Sequence, residues 1–537
     1  MRNGAGIGRR TLLAAGSALA APVLASSGMA RAQRRGDTLT IAVGGAFSSM
    51  DPHFHALTPN GAVAQHIFDR LVHHDENFRP YPGLAESWRP VTETTWEFKL
   101  RRGVNWHDGS PFTADDVVFT FERVPQVRNS PSNFTIYTRP IQRLEVVDPH
   151  TIRMHTAAPN PLVPTLMGGL TLISRKHAEG AETADFNSGK ATVGTGPYRV
   201  VSYMPGDRVV FERSDAWWGP AQPWRRVVYR MITNEATRIA ALSAGDVDVI
   251  DAVPTRDVGA LQANNRLTIV SQAGLRNIYL FLDHRRDDTP DVSGPDGEKL
   301  ERSPLKDVRV RRALSLAINR EGIVQQIMSG FAAPSGQFLS EGVFGHDPSI
   351  KHDPYDPDAA KRLLTEAGYP NGFRIKLSGP NDRYVNDERI VQAIAQMWSR
   401  IGVRTEVNVM PSNVFFGRSA RNEFSVGLLG WGTGTGEPDS PMSALIATAN
   451  REKGRGVANR SLYSNPAFDA LLDRALATID DAAREKVYHE AAKLVMPDYP
   501  IIPLHHQVNI WASRRGLRVT PRNDERTLAM EIAPVSA

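Results

Sequence analysis

Four glycines and a tryptophan fall within the seven positions Gly430 to Gly436 of "LGWGTGTGEPDS" (429–440), and Glu437 and Asp439 follow around a proline. Glycine at this density lets a main chain come very close to a phosphate, a neighbouring strand or a bound molecule. A phosphate loop needs a lysine after its glycines, and a dinucleotide fingerprint needs a strand–G-x-G-x-x-G–helix unit; neither fits. The run is therefore expected to approach a bound solute or the strand beside it, with a purely structural turn as the other reading. Groups that do covalent chemistry are sparse. The chain has no G-x-S-x-G elbow, no H-E-x-x-H and no cysteine, which removes thiol nucleophiles, thiolate metal sites and disulfides. Its 15 histidines and many acids could still assemble a site in space, so a secreted hydrolase remains the rival class. Of the histidine pairs, His73/His74 and His505/His506 would point to opposite faces of a strand, whereas His53 and His55 could share one. A metal ranks below an organic solute, and no enzyme activity, cofactor or metal is expected.

The first residues read as an address. Arg9-Arg10 precedes Thr11, Leu12, Leu13 and an alanine-rich apolar stretch to Ala25, and Ala30-Arg31-Ala32 supplies a small-x-small cleavage pattern before Gln33. The paired arginines look like a twin-arginine export signal, with an ordinary secretory signal as the alternative. The apolar part is too short to span a bilayer. The mature chain is expected to be a soluble periplasmic protein without a membrane span. It carries 63 Lys and Arg against 58 Asp and Glu, but Arg2, Arg9, Arg10 and Arg31 lie in the leader, which leaves the mature part close to neutral. Signs are mixed throughout, unlike the one-sided basic excess of a nucleic-acid binder.

The remaining length exceeds one core and calls for two or three domains. Alternating apolar and polar residues in "DTLTIAV" (37–43), "TWEFKL" (95–100), "TIRMHT" (151–156) and "DRVVFER" (207–213) predict strands, as do "FRIKLSG" (373–379) and "VRTEVNVM" (403–410) after helical segments. Asp307, Asp356 and Asn465 stand where helices should begin, and Gly368 and Pro370 end one of them. Beside the apolar stripe of "VRVRRALSLAINRE", Arg309, Arg311 and Arg312 are expected on a solvated basic face. The pattern is that of mixed α/β domains.

"SSMDPH" (48–53), "TWEFKLRRGVNWHDGSPFTADDVVFTFER" (95–123), "VGTGPYRV" (193–200), "ALSAGDVDVIDAVP" (241–254), "KDVRVRRALSLAINRE" (306–321) and "YDPDAAKRLLTEAGYPNGF" (355–373) occur in this order. Together they resemble the extracytoplasmic solute-binding proteins of family 5, the receptors of ABC importers for oligopeptides, dipeptides, nickel and related solutes. The resemblance covers nearly the whole mature chain. Most of these motifs have a structural reading: Asp108-Gly109 as a tight turn, Thr113 as a helix cap, "GTGPY" as a turn into a strand, and the tryptophans of "DAWWGP" as core.

The resemblance implies an α/β clamshell of two lobes joined by two strand crossovers. After a signal peptide at 1–32, the first lobe would comprise 33–75, 181–276 and 505–537, with an inserted subdomain at 76–180. The second lobe would be 277–504. The crossovers are assigned to "NIYLFLD" (277–283) and "PLHHQVNIW" (503–511). The expected function is a monomeric receptor that takes a peptide or peptide-like solute, or another small organic compound or metal chelate, between its lobes. Its partners would be an ABC permease and ATPase. Ligand contacts are expected from Ser48 and Met50, from Tyr137, and from Gly430, Trp431, Gly432, Thr433 and Gly434. Peptide-binding members carry an aspartate three positions after the tryptophan for the peptide's amino group, and this chain has Gly434 there. Either Glu437 or Asp439 takes its place, Glu437 being the candidate charge partner, or the solute lacks a free amino terminus.

Overall fold

The computed structural model describes residues 37–131 and 134–535. The leader and its cleavage point lie outside the described residues. The chain is organised by two long antiparallel strands, Leu267–Leu282 and Ile501–Arg514, at the centre of a twelve-stranded sheet. At one end, Ala512 and Ser513 pair with Val249–Ile250, and the sheet continues through Thr38–Val43, Arg226–Met231, Arg208–Arg213 and Tyr198–Met204. At the other end, Arg276–Leu282 pairs with Val426–Gly432, beside which lie Phe373–Pro380 and Val403–Met410 in parallel. This is the two-lobed mixed α/β architecture expected from the sequence.

The apolar run at 277–283 has a direct physical cause. Ile278, Leu280 and Leu282 enter one core with Leu314, Ile390 and Trp398, while Tyr279 and Phe281 enter another with Phe415, Leu445 and Tyr488. Side chains alternate across a strand, so a sheet covered on both faces needs apolar residues at every position. Between the lobes the register of the two long strands is broken from Ala273 to Asn277. There the Leu275 N–H donates to the Asn523 carbonyl at 3.0 Å, and a Cβ on Gly274 would come within 2.9 Å of the Gln507 carbonyl oxygen. An irregularity of this kind re-aims a strand and ends one stretch of pairing before the next begins.

A separate four-stranded antiparallel sheet, in the order Ala85–Thr92, Thr95–Leu100, Thr151–Thr156, Ile141–Asp148, has a core of its own that includes Phe98, Trp106, Phe112 and Met154. Its helix Ala114–Arg123 starts with a capping box of Thr113 and Asp116. Asp307, Asp356 and Asn465 likewise accept main-chain N–H groups at the starts of their helices. "GTGPY" is fixed by packing: a Cβ on Gly194 would lie 1.8 Å from the Ile67 carbonyl oxygen. One expectation is corrected. Arg311 is not on a solvated face but 5 % exposed, with its guanidinium donating to the Asp498 and Leu305 carbonyls. The tryptophans of "DAWWGP" are half-buried, and both ring N–H groups point at Asp69, Trp218 at 2.9 Å. Among the described residues no helix is long and apolar enough to cross a membrane.

Candidate functional site

Two adjoining cavities lie between the lobes, of about 320 and 520 Å³, and share Thr58, Glu525 and Arg526 in their walls. The smaller is bordered by Gly432, Thr433 and Gly434 on one side and by Phe134, Tyr137 and Arg70 on the other. The larger runs along the long strand Ile501–Arg514, between Gly44 and Asp251 of the first lobe and Tyr384 and Asn386 of the second. Asn386 sits at φ 57° and reaches across the gap, its amide donating to Thr255 Oγ1 at 3.2 Å.

The glycine run meets a different neighbour at each position. A side chain at Gly430 would meet the Tyr384 ring at 2.7 Å and Ile278 at 2.8 Å, and the Tyr384 hydroxyl donates to the Gly430 carbonyl at 3.2 Å. Gly432 closes the strand pairing opposite Arg276, whose guanidinium is 3.8 Å from where its Cβ would be. Gly434 is exposed to open space, with nothing within 4 Å of a Cβ there. Gly436, at φ 69°, accommodates Phe78, whose ring would stand 2.5 Å from a Cβ. Phe78 comes from the turn at 75–79, outside the second lobe, so the run begins against its own strand neighbours and ends beneath an aromatic ring from across the cleft.

The expected site residues separate into two groups. Tyr137, Gly432, Thr433 and Gly434 border the smaller cavity. Gly430 and Trp431 lie behind it in the strand, with the Trp431 ring N–H donating to Ser440 Oγ at 3.0 Å. Ser48 is exposed, 3.3 Å from His55 Nδ1, and borders neither cavity. Met50 is 2 % exposed within the first lobe's core, so its side chain has no access to the cleft. Glu437 is also turned inward: Arg484 Nε and Nη2 donate to its carboxylate at 3.1 and 2.9 Å. Asp439 accepts from Thr435 Oγ1 in the same loop. Burial and the nearby Glu437 push its carboxyl up to about 7.

Sequence reasoning missed the charged floor of the smaller cavity. Asp524, Glu525 and Arg526 follow the second long strand and meet Arg70 and Arg276 there, while Arg522 is buried behind them and pairs with Asp524. Asp524 accepts from Arg522 at 2.8 Å and from Arg526 at 2.6 Å. Burial alone would raise its carboxyl, but the two guanidiniums hold it well below the usual range. Glu525, at φ 66°, lies 3.3 Å from Arg276. A non-glycine residue in left-handed backbone is one the surroundings must hold there. The only signal in the sequence was the density of charge in "RNDER" (522–526).

His53, His74, His505 and His506 are packed inside the protein. His53 Nε2 lies 2.7 Å from the Thr171 carbonyl, and burial pushes the ring down to about 4. His74 stacks on Phe78 at 4.1 Å. His505 and His506 are buried, and burial lowers both. What the cavities offer is main chain, aromatic faces and fixed charges, which is equipment for binding.

The sequence pattern described as "Bacterial extracellular solute-binding proteins, family 5 Middle" matches residues 79–453. The chain is 29 % identical to heme-binding protein A of Haemophilus influenzae, covering 84 % of this chain and 83 % of that protein. It is 28 % identical to the glutathione-binding protein GsiB of Pectobacterium atrosepticum, covering 95 % of both. The solved structure of HbpA2 from Haemophilus parasuis superposes with a TM-score of 0.81 at 23 % identity, over 93 % of this chain and all of that one.

Proposed function

Because this chain belongs to family 5 of the bacterial extracellular solute-binding proteins, we propose that it captures a peptide or peptide-like solute between its lobes and presents the closed form to the permease and ATPase of an ABC importer. The observation that carries this reading is the smaller cavity, where Gly432 to Gly434, Tyr137 and Arg70 border one space from three parts of the chain. A solute touching all of them binds the closed form better than the open one, and so shifts the population toward closure. A glycine main chain beside aromatic rings suits an extended, amide-rich molecule. The proposed contacts are Tyr137, Gly432, Thr433 and Gly434, which border the cavity; Met50 is left out because it packs in the first lobe's core, and Glu437 because Arg484 holds its carboxylate.

A non-peptide organic solute is the second reading, supported by the open space at Gly434, where a peptide's amino group would need a carboxylate. The hinge is proposed at Ala273–Asn277, where the long strands lose register. The same reading has a monomer working in the periplasm, exported by the leader at 1–32. Changing Arg9 and Arg10 to lysine should then leave precursor in the cytoplasm, whereas undiminished export points to ordinary secretion.

The test is to identify by mass spectrometry the solute that co-purifies with the exported protein, then return it to solute-free protein. Binding should raise the melting temperature without turnover, by mass action on the native state. Small-angle scattering should show a smaller radius of gyration at saturation. An unchanged radius refutes capture by closure.

A further inference from the structure

Arg70 stands out among the charged groups of the cleft. It is 4 % exposed. Its Nη1 donates to the Gly168 carbonyl at 3.0 Å, and its Nε has no hydrogen-bond partner among the described residues. The Gln65 amide, turned so that both its ends are satisfied, places its oxygen 2.9 and 3.1 Å from Arg70 Nη1 and Nη2 and 3.2 Å from Arg526 Nε. Both guanidiniums therefore share one neutral acceptor. They also converge on Gly61: a side chain there would come within 3.9 Å of Arg70 and 3.7 Å of Arg526. Nearby, Asp524 already serves Arg522 and Arg526, Glu531 serves Arg522, and Glu525 serves Arg276. Arg70 has no carboxylate of its own among the described residues.

A buried guanidinium without a counter-charge is costly, because desolvation is not offset by attraction. Its own proton affinity reflects this. Burial, reinforced by Arg526, pulls Arg70 down to about 9, yet it stays charged at neutral pH. The carbonyl of Gly168 and the amide of Gln65 fix the group in place before anything binds, so little ordering remains to be done on association. Arginine presents two parallel N–H donors that match a carboxylate.

We propose that the captured solute carries a carboxylate, and that Arg70, with Arg526 beside it, is the anion-recognising residue at the floor of the smaller cavity. This deepens the proposed function and rests on it. The solute then has a polarity: its anionic end lies at Arg70, its other end reaches Gly432 to Gly434, and apolar groups lie against Phe134 and Tyr137. The empty position at Gly434 and the excess guanidinium at Arg70 point the same way, toward a molecule whose negative end dominates recognition.

The experiment compares the peptide Ala-Ala-Phe-Ala, bearing a free carboxylate, with its C-terminal amide, by calorimetric titration of the exported protein. The wild type should prefer the acid at least tenfold. Arg70→Gln should abolish the preference, and Arg70→Lys, which keeps the charge without the fork, should retain part of it. Equal affinity for acid and amide, or an undiminished preference in Arg70→Gln, overturns the proposal. If neither peptide binds, the peptide reading fails, and the solute found by mass spectrometry in the purified protein decides the anion site. A carboxylate-bearing solute, lost from Arg70→Gln or from Arg70→Lys, supports it; a neutral or cationic solute overturns it. A phosphate-bearing solute lost from the same variants supports an anion site but overturns the choice of carboxylate.

Discussion

Glu437 and Arg484 face one another inside the second lobe as a two-pronged ion pair, with the Tyr488 hydroxyl adding a third contact at 3.4 Å. The pair sits at the end of the glycine-rich loop and fastens it to the helix Asp481–Val495. A carboxylate committed in this way has nothing left for a solute's ammonium group. Glu437→Gln should therefore lower stability by about 3 kcal/mol, the usual cost of breaking a buried pair, while leaving the ranking of solutes unchanged. Urea unfolding measures the first effect and calorimetric titration the second. A variant of normal stability with altered solute preference would return Glu437 to the binding site.

Asp439, two residues on, makes the same loop sensitive to pH. Its carboxyl is raised from 3.8 to about 7 by burial and by Glu437. Between these values the native state holds a proton that the unfolded chain has released, so this carboxyl's own contribution to stability falls as pH rises from about 4 to 7 and levels off above. That is opposite in sign to the contribution of buried histidines such as His53, His505 and His506, whose rings burial pushes down. Asp439→Asn keeps an acceptor for Thr435 and removes the ionisation. It should raise stability at pH 8 by roughly 2–4 kcal/mol relative to wild type, an advantage that shrinks as pH falls from about 7 toward 4. Melting temperatures of both proteins across that range check the sign. An Asp439→Asn variant with no advantage over wild type at pH 8, or one whose advantage grows as pH falls, contradicts it.

What was legible in the sequence was what is decided locally. Thr113, Asp307, Asp356 and Asn465 cap their helices through groups two or three residues away. The run at 277–283 read as an apolar strand, and in the structure its alternate residues fill two cores. Close approach left its mark in the glycine density at Gly430 and Gly436, which lie against Tyr384 and Phe78. Burial is decided by the whole fold, and there local reading failed. Arg311 has the helical position of a surface residue, yet the Asp498 and Leu305 carbonyls enclose it. Arg70 and Arg526 meet from opposite ends of the chain, and nothing near either in sequence shows the meeting.

Gly194 illustrates a motif residue whose constraint is entirely steric. A Cβ at this position would overlap the Ile67 carbonyl at 1.8 Å, and that oxygen accepts the Gly196 N–H at 2.9 Å. Backbone cannot swing aside as a flexible side chain would. Gly194→Ala should cost on the order of 3 kcal/mol or more through overpacking, read as a lower urea midpoint with an unchanged slope. If Gly194→Ala matches wild type, the turn can shift and the motif does not depend on that contact.

Gly434 is the converse case, a glycine with room for a side chain. Nothing stands within 4 Å of its Cβ position, and its backbone is outside the left-handed region, so neither space nor strain requires glycine there. Gly434→Asp should fold with a melting temperature within about 2 °C of wild type. The new carboxylate would border the smaller cavity beside Gly432 and Thr433. Arg276, the cation nearest to Gly432, is already engaged by Glu525. Arg70 borders the same cavity but is held by Gly168 and Gln65, so the partner proposed for the new carboxylate is a peptide's free ammonium group. A charge-assisted hydrogen bond contributes about 1.5–3 kcal/mol, or roughly ten- to a hundredfold in affinity. Peptides with a free amino terminus should gain over their N-acetylated forms, while a solute that is neutral or anionic at this position should bind more weakly, because it would bury the carboxylate unpaired. Gly434→Asn has the same shape without the charge and should show neither change. Calorimetric titration of the three proteins against free and acetylated peptides separates the cases. Identical behaviour of the Asp and Asn variants would mean that charge at this position plays no part in recognition.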